Sequence, residues 1–122
     1  MKKILFIEDE PTLQKTVGAI LEADGFQMIS STDGDSGLRL AASEKPDLII
    51  LDLILPGKHG LEVLKSLKED NVTKDIPVII LTNIEEPKSI ETALELGATT
   101  YLVKASYSLE EVTEKIKKVI QP

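Results

Sequence analysis

Runs of four apolar residues alternate along this chain with longer stretches in which apolar residues recur about every 3.6 positions, and that alternation restricts its fold more than any other feature. Ile4–Ile7, Leu48–Leu51 and Val78–Leu81 are the runs, rich in Ile, Leu and Val. A run without polar alternation suits a strand covered on both faces. Gln27–Ser31 and Thr100–Val103 are weaker strand candidates. Between the strands the helical period is carried by Leu13, Val17, Ile20 and Leu21; by Leu38, Leu40 and Ala41; by Leu61, Leu64 and Leu67; and by Ile90, Ala93 and Leu94. Leu109, Val112, Ile116, Val119 and Ile120 carry a last helix. Strand and helix alternating five times predict a parallel sheet with helices on both faces and right-handed crossovers.

The punctuation agrees. Gly25 and Gly97 fall where helices should end in a left-handed residue, and Pro87 where a first helical turn tolerates a missing N–H. Ser108 followed by Glu111 fits a capping box for the last helix, and Pro122 is expected to end it. The strand–helix units take up all 122 residues, so a single domain over 1–122 is expected, with any output exerted through partners.

Charge narrows the partners. With 21 acidic against 14 basic side chains and a net charge of -7, the chain repels phosphate backbones and anionic lipid, so neither nucleic acid nor a membrane surface is expected as a direct partner. It has no cysteine, which removes disulfides, thiolate nucleophiles and Cys-based metal sites and fits a reducing, cytoplasmic home. Met1-Lys2-Lys3 precedes only four apolar residues before Glu8-Asp9-Glu10, short of the roughly 7–15 of a secretory segment. No run approaches the roughly 20 apolar residues that span a bilayer.

Ligands of such sheets sit at the carboxyl ends of the strands, where strand order reverses. Those ends carry Glu8 and Asp9, Asp52, Thr82 and Lys104, after the first, third, fourth and fifth strands. A carboxylate directly after Leu48-Ile49-Ile50-Leu51 is held at the sheet edge with little solvation, so Asp52 requires partners. Three carboxylates in one crevice repel each other unless a cation intervenes, and oxygen donors without His or Cys favour a hard ion such as Mg²⁺, which often recruits phosphate oxygens. Mg²⁺ and the Lys104 ammonium would balance Glu8, Asp9 and Asp52. Carboxylates are also nucleophiles that form aspartyl-phosphate. With Asp52 in that role, the metal and Lys104 would stabilise the equatorial oxygens of the transferring group, and the Thr82 hydroxyl would donate a hydrogen bond.

Each residue alone has a plainer explanation. Glu8-Asp9-Glu10 is explained by negative charge at a helix N-terminus, Lys104 by a solvated lysine, Thr82 by an ordinary strand or cap residue, and Tyr101 by a core aromatic. Their joint arrival at four strand ends on one edge favours a site. His59, in Gly57-Lys58-His59-Gly60, lacks nitrogen or sulfur co-ligands and reads as a surface-loop residue, and Lys115, Lys117 and Lys118 read as a solvated face of the last helix.

An acidic pair after the first strand (Glu8, Asp9), Asp52 in Leu51-Asp52-Leu53-Ile54-Leu55-Pro56-Gly57, Thr82 after the fourth strand, Tyr101 in the fifth and Lys104 after it occur in this order over the whole chain. In this the sequence resembles the receiver domain of two-component response regulators, of the chemotaxis-regulator-like kind. The resemblance implies a flavodoxin-like (βα)5 doubly wound parallel sheet of strand order 2-1-3-4-5. It implies that Asp52 accepts a phosphoryl group from the phosphohistidine of a histidine kinase or a histidine phosphotransfer protein. Asp9, Asp52 and the Ile54 backbone carbonyl would bind Mg²⁺, with Glu8 acting through a coordinated water and Lys104 pairing with phosphoryl oxygens. Thr82 and Tyr101 match the switch positions that remodel the surface of the fourth helix, fifth strand and fifth helix. That surface would engage a downstream effector or output domain, and it is available for homodimerisation.

Three departures from the family pattern stand out. Ala105 follows Lys104 where most receivers have proline in a cis peptide, and a non-proline cis bond costs about 2.5–4 kcal/mol, so a trans peptide or a re-routed loop is expected. Asn83 is larger than the residue usual after the threonine and would narrow access to Asp52. Ile54 and Ile84, two residues after Asp52 and Thr82, cannot orient an attacking water, which predicts slow self-dephosphorylation. Two rivals fit less well. An aspartyl-nucleophile phosphohydrolase typically carries a second Asp where Ile54 stands, and a pseudo-receiver that only binds partners has no need of all five site residues. Nucleotide-binding glycine loops are absent. The expectation is a signalling module, not an enzyme.

Overall fold

The computed structural model describes residues 1–121; Pro122, expected to end the last helix, lies outside the described residues. Along the chain run β1 (Lys3–Ile7), α1 (Pro11–Ala23), β2 (Gln27–Ser31), α2 (Gly34–Glu44), β3 (Leu48–Leu51), α3 (Gly60–Glu69), β4 (Val78–Thr82), α4 (Pro87–Glu95), β5 (Thr100–Val103), a 3-10 turn (Lys104–Ser106) and α5 (Leu109–Ile120). The strands pair in parallel in the order β2-β1-β3-β4-β5, the flavodoxin-like arrangement expected.

The unbroken apolar runs are explained by two cores. Successive side chains of a strand point to opposite faces. Ile4 and Phe6, Leu48 and Ile50, Ile79 and Leu81 pack with Val17 and Leu21 of α1 and Val112, Ile116 and Ile120 of α5. Leu5 and Ile7, Ile49 and Leu51, Val78 and Ile80 pack on the other face with Ala41 of α2, Val63, Leu64 and Leu67 of α3, and Ala93 of α4. Burying one such side chain fully is worth roughly 1.5–3 kcal/mol, so every apolar position of the three central strands resists a polar substitution.

Helix ends follow the punctuation. Gly25 and Gly97 have φ of 96° and 107°, Pro87 opens α4, and Ser108 and Glu111 form the reciprocal capping box. Four details differ from the sequence reading. β1 begins one residue earlier, at Lys3, and β4 takes in Thr82, which is its last residue and not the one beyond it. Leu94 is 49% exposed, because α4 is short and turns only Ala93 fully inward. α2 ends on a non-glycine left-handed residue, Lys45 (φ 46°), whose N–H donates to the Ala41 carbonyl.

β1 lies between β2 and β3, so the order in which strands are added reverses there and the two connections leave on opposite faces. The crevice this opens is bounded by the residues following β1 and β3.

Candidate functional site

Glu8 continues the parity of Ile4 and Phe6, and Asp52 that of Leu48 and Ile50. Both strands stay bonded one residue beyond their ends, with the Glu8 N–H on the Ser31 carbonyl at 2.9 Å and the Asp52 N–H on the Ile7 carbonyl at 3.0 Å. The two carboxylates are thereby aimed to the α1/α5 side of the sheet edge. Lys104, two residues after Leu102, joins them there: its Nζ lies 2.8 Å from Glu8 Oε1 and 2.9 Å from Asp52 Oδ2. Glu8 is fully buried, Asp52 is 3% exposed and the lysine side chain is 13% exposed. Asp9 stands exposed at the mouth, and Glu8, Asp9 and Asp52 each offer an oxygen within 4.8 Å of the others.

The remaining lone pairs are largely met by backbone. Glu8 Oε2 accepts from the Glu10 N–H at 3.0 Å and Asp52 Oδ1 from the Ile54 N–H at 3.0 Å. Glu8 Oε1 is close enough to Lys104 for an ion pair but receives no directed hydrogen bond. Burial pushes the Glu8 carboxyl up to about 7; the Lys104 contact opposes this and the neighbouring Asp52 charge reinforces it. Burial pulls the Lys104 ammonium down, but the hydrogen bond to Asp52 and the close contact and charge of Glu8 outweigh it, and the group is held above the ordinary lysine range. A buried carboxylate oxygen without a hydrogen bond, beside two more carboxylates and no nitrogen or sulfur donor, fits one hard divalent cation.

Thr82 and Tyr101 lie on the other parity. Thr82 is fully buried, and Tyr101 packs with the α2–α4 core. Both meet at Ile84, whose N–H reaches Thr82 Oγ1 at 3.5 Å and whose carbonyl accepts from the Tyr101 hydroxyl at 2.7 Å. Burial, and then the charges of Asp52 and Glu86, raise the Tyr101 phenol above its usual range.

The model of the response regulator receiver domain family matches residues 4–117. The chain belongs to the receiver family. It is 38% identical over 120 residues to the phosphate regulon transcriptional regulatory protein PhoB of Escherichia coli K12, an alignment covering 98% of this chain and 52% of that protein. It is 36% identical over 104 residues to protein PilH of Pseudomonas aeruginosa, covering 85% and 86%. The chain thus spans about half the length of the PhoB relatives it matches. Among solved structures it resembles the receiver domain of a sensor histidine kinase of Pseudomonas aeruginosa PAO1, which has a magnesium ion coordinated in the active site cleft (TM-score 0.86, 26% identity, 99% and 98% of the two chains). Phosphorylation on an aspartate is the general function of receivers.

Within this receiver the structure adds residues that the sequence reading passed over. Glu10 brings Oε2 to 3.5 Å from Lys104, a third acid on the same ammonium after Glu8 and Asp52. Gly60 approaches the segment after β3 so closely that a Cβ there would sit 2.4 Å from Leu53 Cα and 2.5 Å from the Asp52 carbonyl oxygen, while its N–H donates to the Leu53 carbonyl at 2.9 Å. His59 does more than occupy a surface loop: it is exposed but caps α3, accepting the Leu61 N–H on Nδ1 at 3.0 Å. The lysines of α5 are likewise not uniformly solvated, since Lys117 pairs with Asp24 and Glu114, both at 3.1 Å, and Lys115 lies 5.2 Å from the centre of the Tyr107 ring. Ala105 sits within the 3-10 turn, and no cis peptide occurs among the described residues. Asn83 is exposed, Ile54 is 54% exposed, and Ile84 is half-buried. Among the described residues no helix is long and apolar enough to cross a membrane.

Proposed function

We propose that residues 1–122 form one receiver domain that accepts a phosphoryl group on Asp52 and relays it as a change of partner surface. The observation that carries this reading is the Lys104 ammonium set between the buried Glu8 and Asp52 carboxylates, 2.8 and 2.9 Å away, with Asp9 alongside. Asp9, Asp52 and the Ile54 carbonyl would hold Mg²⁺, with Glu8 acting through water. The ion would supply positive charge for the incoming phosphoryl oxygens. The donor is the phosphohistidine of a histidine kinase or phosphotransfer protein. An Asp52 oxygen attacks phosphorus as the P–N bond breaks, and the electron pair leaves with the imidazole, which takes up a proton. Lys104 steadies the charge on the transferring oxygens, and the Thr82 hydroxyl donates to one of them. Release of Thr82 from Ile84 alters the loop that Tyr101 also holds, and the α4–β5–α5 surface would pass the signal to an effector or output domain or to a second copy. Direct contact with nucleic acid or membrane is not part of this function, and a cytoplasmic site of action goes with it.

Intact mass after incubation with a small acyl phosphate and Mg²⁺ tests the reading. A single phosphate adduct that Asp52→Asn abolishes is expected. No adduct, or one indifferent to that change, overturns it. Sustained turnover of the donor by the unaltered chain would instead favour an aspartyl phosphohydrolase.

A further inference from the structure

We propose that Gln14, on the first turn and a half of α1, is a positioning residue for the cation-binding loop. Its Nε2 donates to the Glu8 carbonyl at 2.6 Å and to the Ser31 carbonyl at 2.8 Å. A primary amide has two N–H groups, and here both are used on backbone at the carboxyl ends of two adjacent strands. The Ser31 carbonyl also accepts the Glu8 N–H at 2.9 Å. Glu8 is therefore held at its N–H, at its carbonyl and, through the Glu10 N–H, at its carboxylate.

The consequence falls on Asp9. The peptide between Glu8 and Asp9 is planar, so fixing the Glu8 oxygen fixes the Asp9 N–H and the position of its Cα. Among the described residues the exposed Asp9 carboxylate makes no hydrogen bond or ion pair of its own, so the backbone is what fixes where it starts from beside Glu8 and Asp52. The clamp is not a helix cap, since Glu10 is the N-cap of α1 and makes no side-chain cap bond. Gln14 itself lines an open groove of about 490 Å³ between α1 and β2, together with Pro11, Lys15, Gly18 and Met28, outside the carboxylate cluster it steadies. This role rests on the reading of Glu8, Asp9 and Asp52 as a Mg²⁺ site.

Three substitutions separate the clamp from simple charge. Gln14→Met removes the donors, Gln14→Glu replaces them with acceptors and adds negative charge, and Gln14→Arg keeps donors while adding positive charge. The clamp predicts that Gln and Arg bind Mg²⁺ alike, with Met and Glu about tenfold weaker, as for other residues that orient metal ligands. Charge alone predicts the opposite order, Glu tightest and Arg weakest. Calorimetric titration with MgCl₂, in buffer where circular dichroism shows every variant folded, reads the order directly and is insensitive to global stability. Met and Glu variants within twofold of the unaltered chain, or an order following charge, overturn the proposal. Asp9→Asn is the parallel control: if it binds as well as the unaltered chain, or if the unaltered chain does not bind, the Mg²⁺ reading falls and the clamp with it.

Discussion

Lys104→Met tests the electrostatics of the site with two effects of opposite sign. The substitution keeps an apolar stem of similar length and removes the one cation that pairs with Glu8, Asp52 and Glu10 among the described residues. With all groups ionised, as a bound Mg²⁺ would keep them, Glu8, Asp9 and Asp52 contribute -3 and Lys104 contributes +1, so the charge facing the ion changes from -2 to -3. Removing one partner of a buried pair costs about 3–5 kcal/mol, because the other charge stays buried uncompensated. Burial already holds the Glu8 carboxyl near 7, so without the ammonium it neutralises by taking up a proton, and the loss falls at the lower end of that range. Mg²⁺ affinity moves the other way. An ion sharing oxygens with the ammonium would lie within about 5 Å of it, and their repulsion at an effective dielectric of about 40–80 is about 1.5–3 kcal/mol, tenfold or more in Kd. Since saturation at 100 times Kd adds about 2.7 kcal/mol of stability, Mg²⁺ should rescue most of the loss. Urea unfolding in EDTA and then in excess MgCl₂ measures both effects. A variant as stable as the unaltered chain in EDTA, or one that binds Mg²⁺ more weakly, refutes this account of the site.

Further outcomes are expected elsewhere. Gly60→Ala must displace the backbone of Asp52 and Leu53 by roughly 1 Å to clear contacts of 2.4 and 2.5 Å, so it should cost about 1–3 kcal/mol in urea unfolding and weaken Mg²⁺ binding; full retention of both would show that the segment yields freely. The phosphorylated chain should lose phosphate slowly, and Ile54→Asn, which can hold a water at an exposed position, should shorten the lifetime; an unchanged lifetime by intact mass would dismiss the role given to Ile54. Absorbance near 295 nm should show a tyrosine component ionising above the ordinary value of about 10, and Tyr101→Phe should remove that late component; its persistence in the variant would contradict the burial of Tyr101.

The sheet was legible because its central strands are buried on both faces: four apolar residues in a row admit few other readings, and alternation with helical periods then dictates parallel pairing. β2 and β5 are edge strands, partly exposed, and their mixed sequences carried a weaker signal. The charged site was legible for a related reason, since Glu8 and Asp52 stand directly after runs that leave no room for an unsatisfied acid. Glu10, Gln14 and Gly60 were not legible. Glu10 reads as helix-terminal charge, Gln14 as an ordinary helical polar residue, and Gly60 as a loop glycine. What sets their roles is distance across elements: Lys104 lies far along the chain from Glu10, Gln14 touches the end of β2, and Gly60 returns to the segment it has just left. Spacing in sequence has no access to such contacts.

Strand parity also divides the labour of the site. Glu8, Asp52 and Lys104 share the α1/α5 side, whereas Thr82 follows Ile80 on the α2–α4 side, and Tyr101 packs into that same core. The charged residues would hold cation and phosphoryl group without moving a helix. Transmission on the proposed reading then depends on Thr82, whose hydroxyl is tied to the Ile84 N–H by a contact of only 3.5 Å, against the 2.7 Å bond from Tyr101 to the Ile84 carbonyl. A hydrogen bond at that length is weak, and one to a charged phosphoryl oxygen is worth about 1.5–3 kcal/mol, so the threonine loses little by turning toward Asp52. Ile84 would then be held by Tyr101 alone, at the start of the loop that leads into α4. Thr82→Val, which keeps the shape and removes the hydroxyl, should therefore leave phosphate uptake by Asp52 largely intact while abolishing the change in Tyr101 absorbance on phosphorylation. If the tyrosine still responds in that variant, the signal reaches the α4 surface by another route.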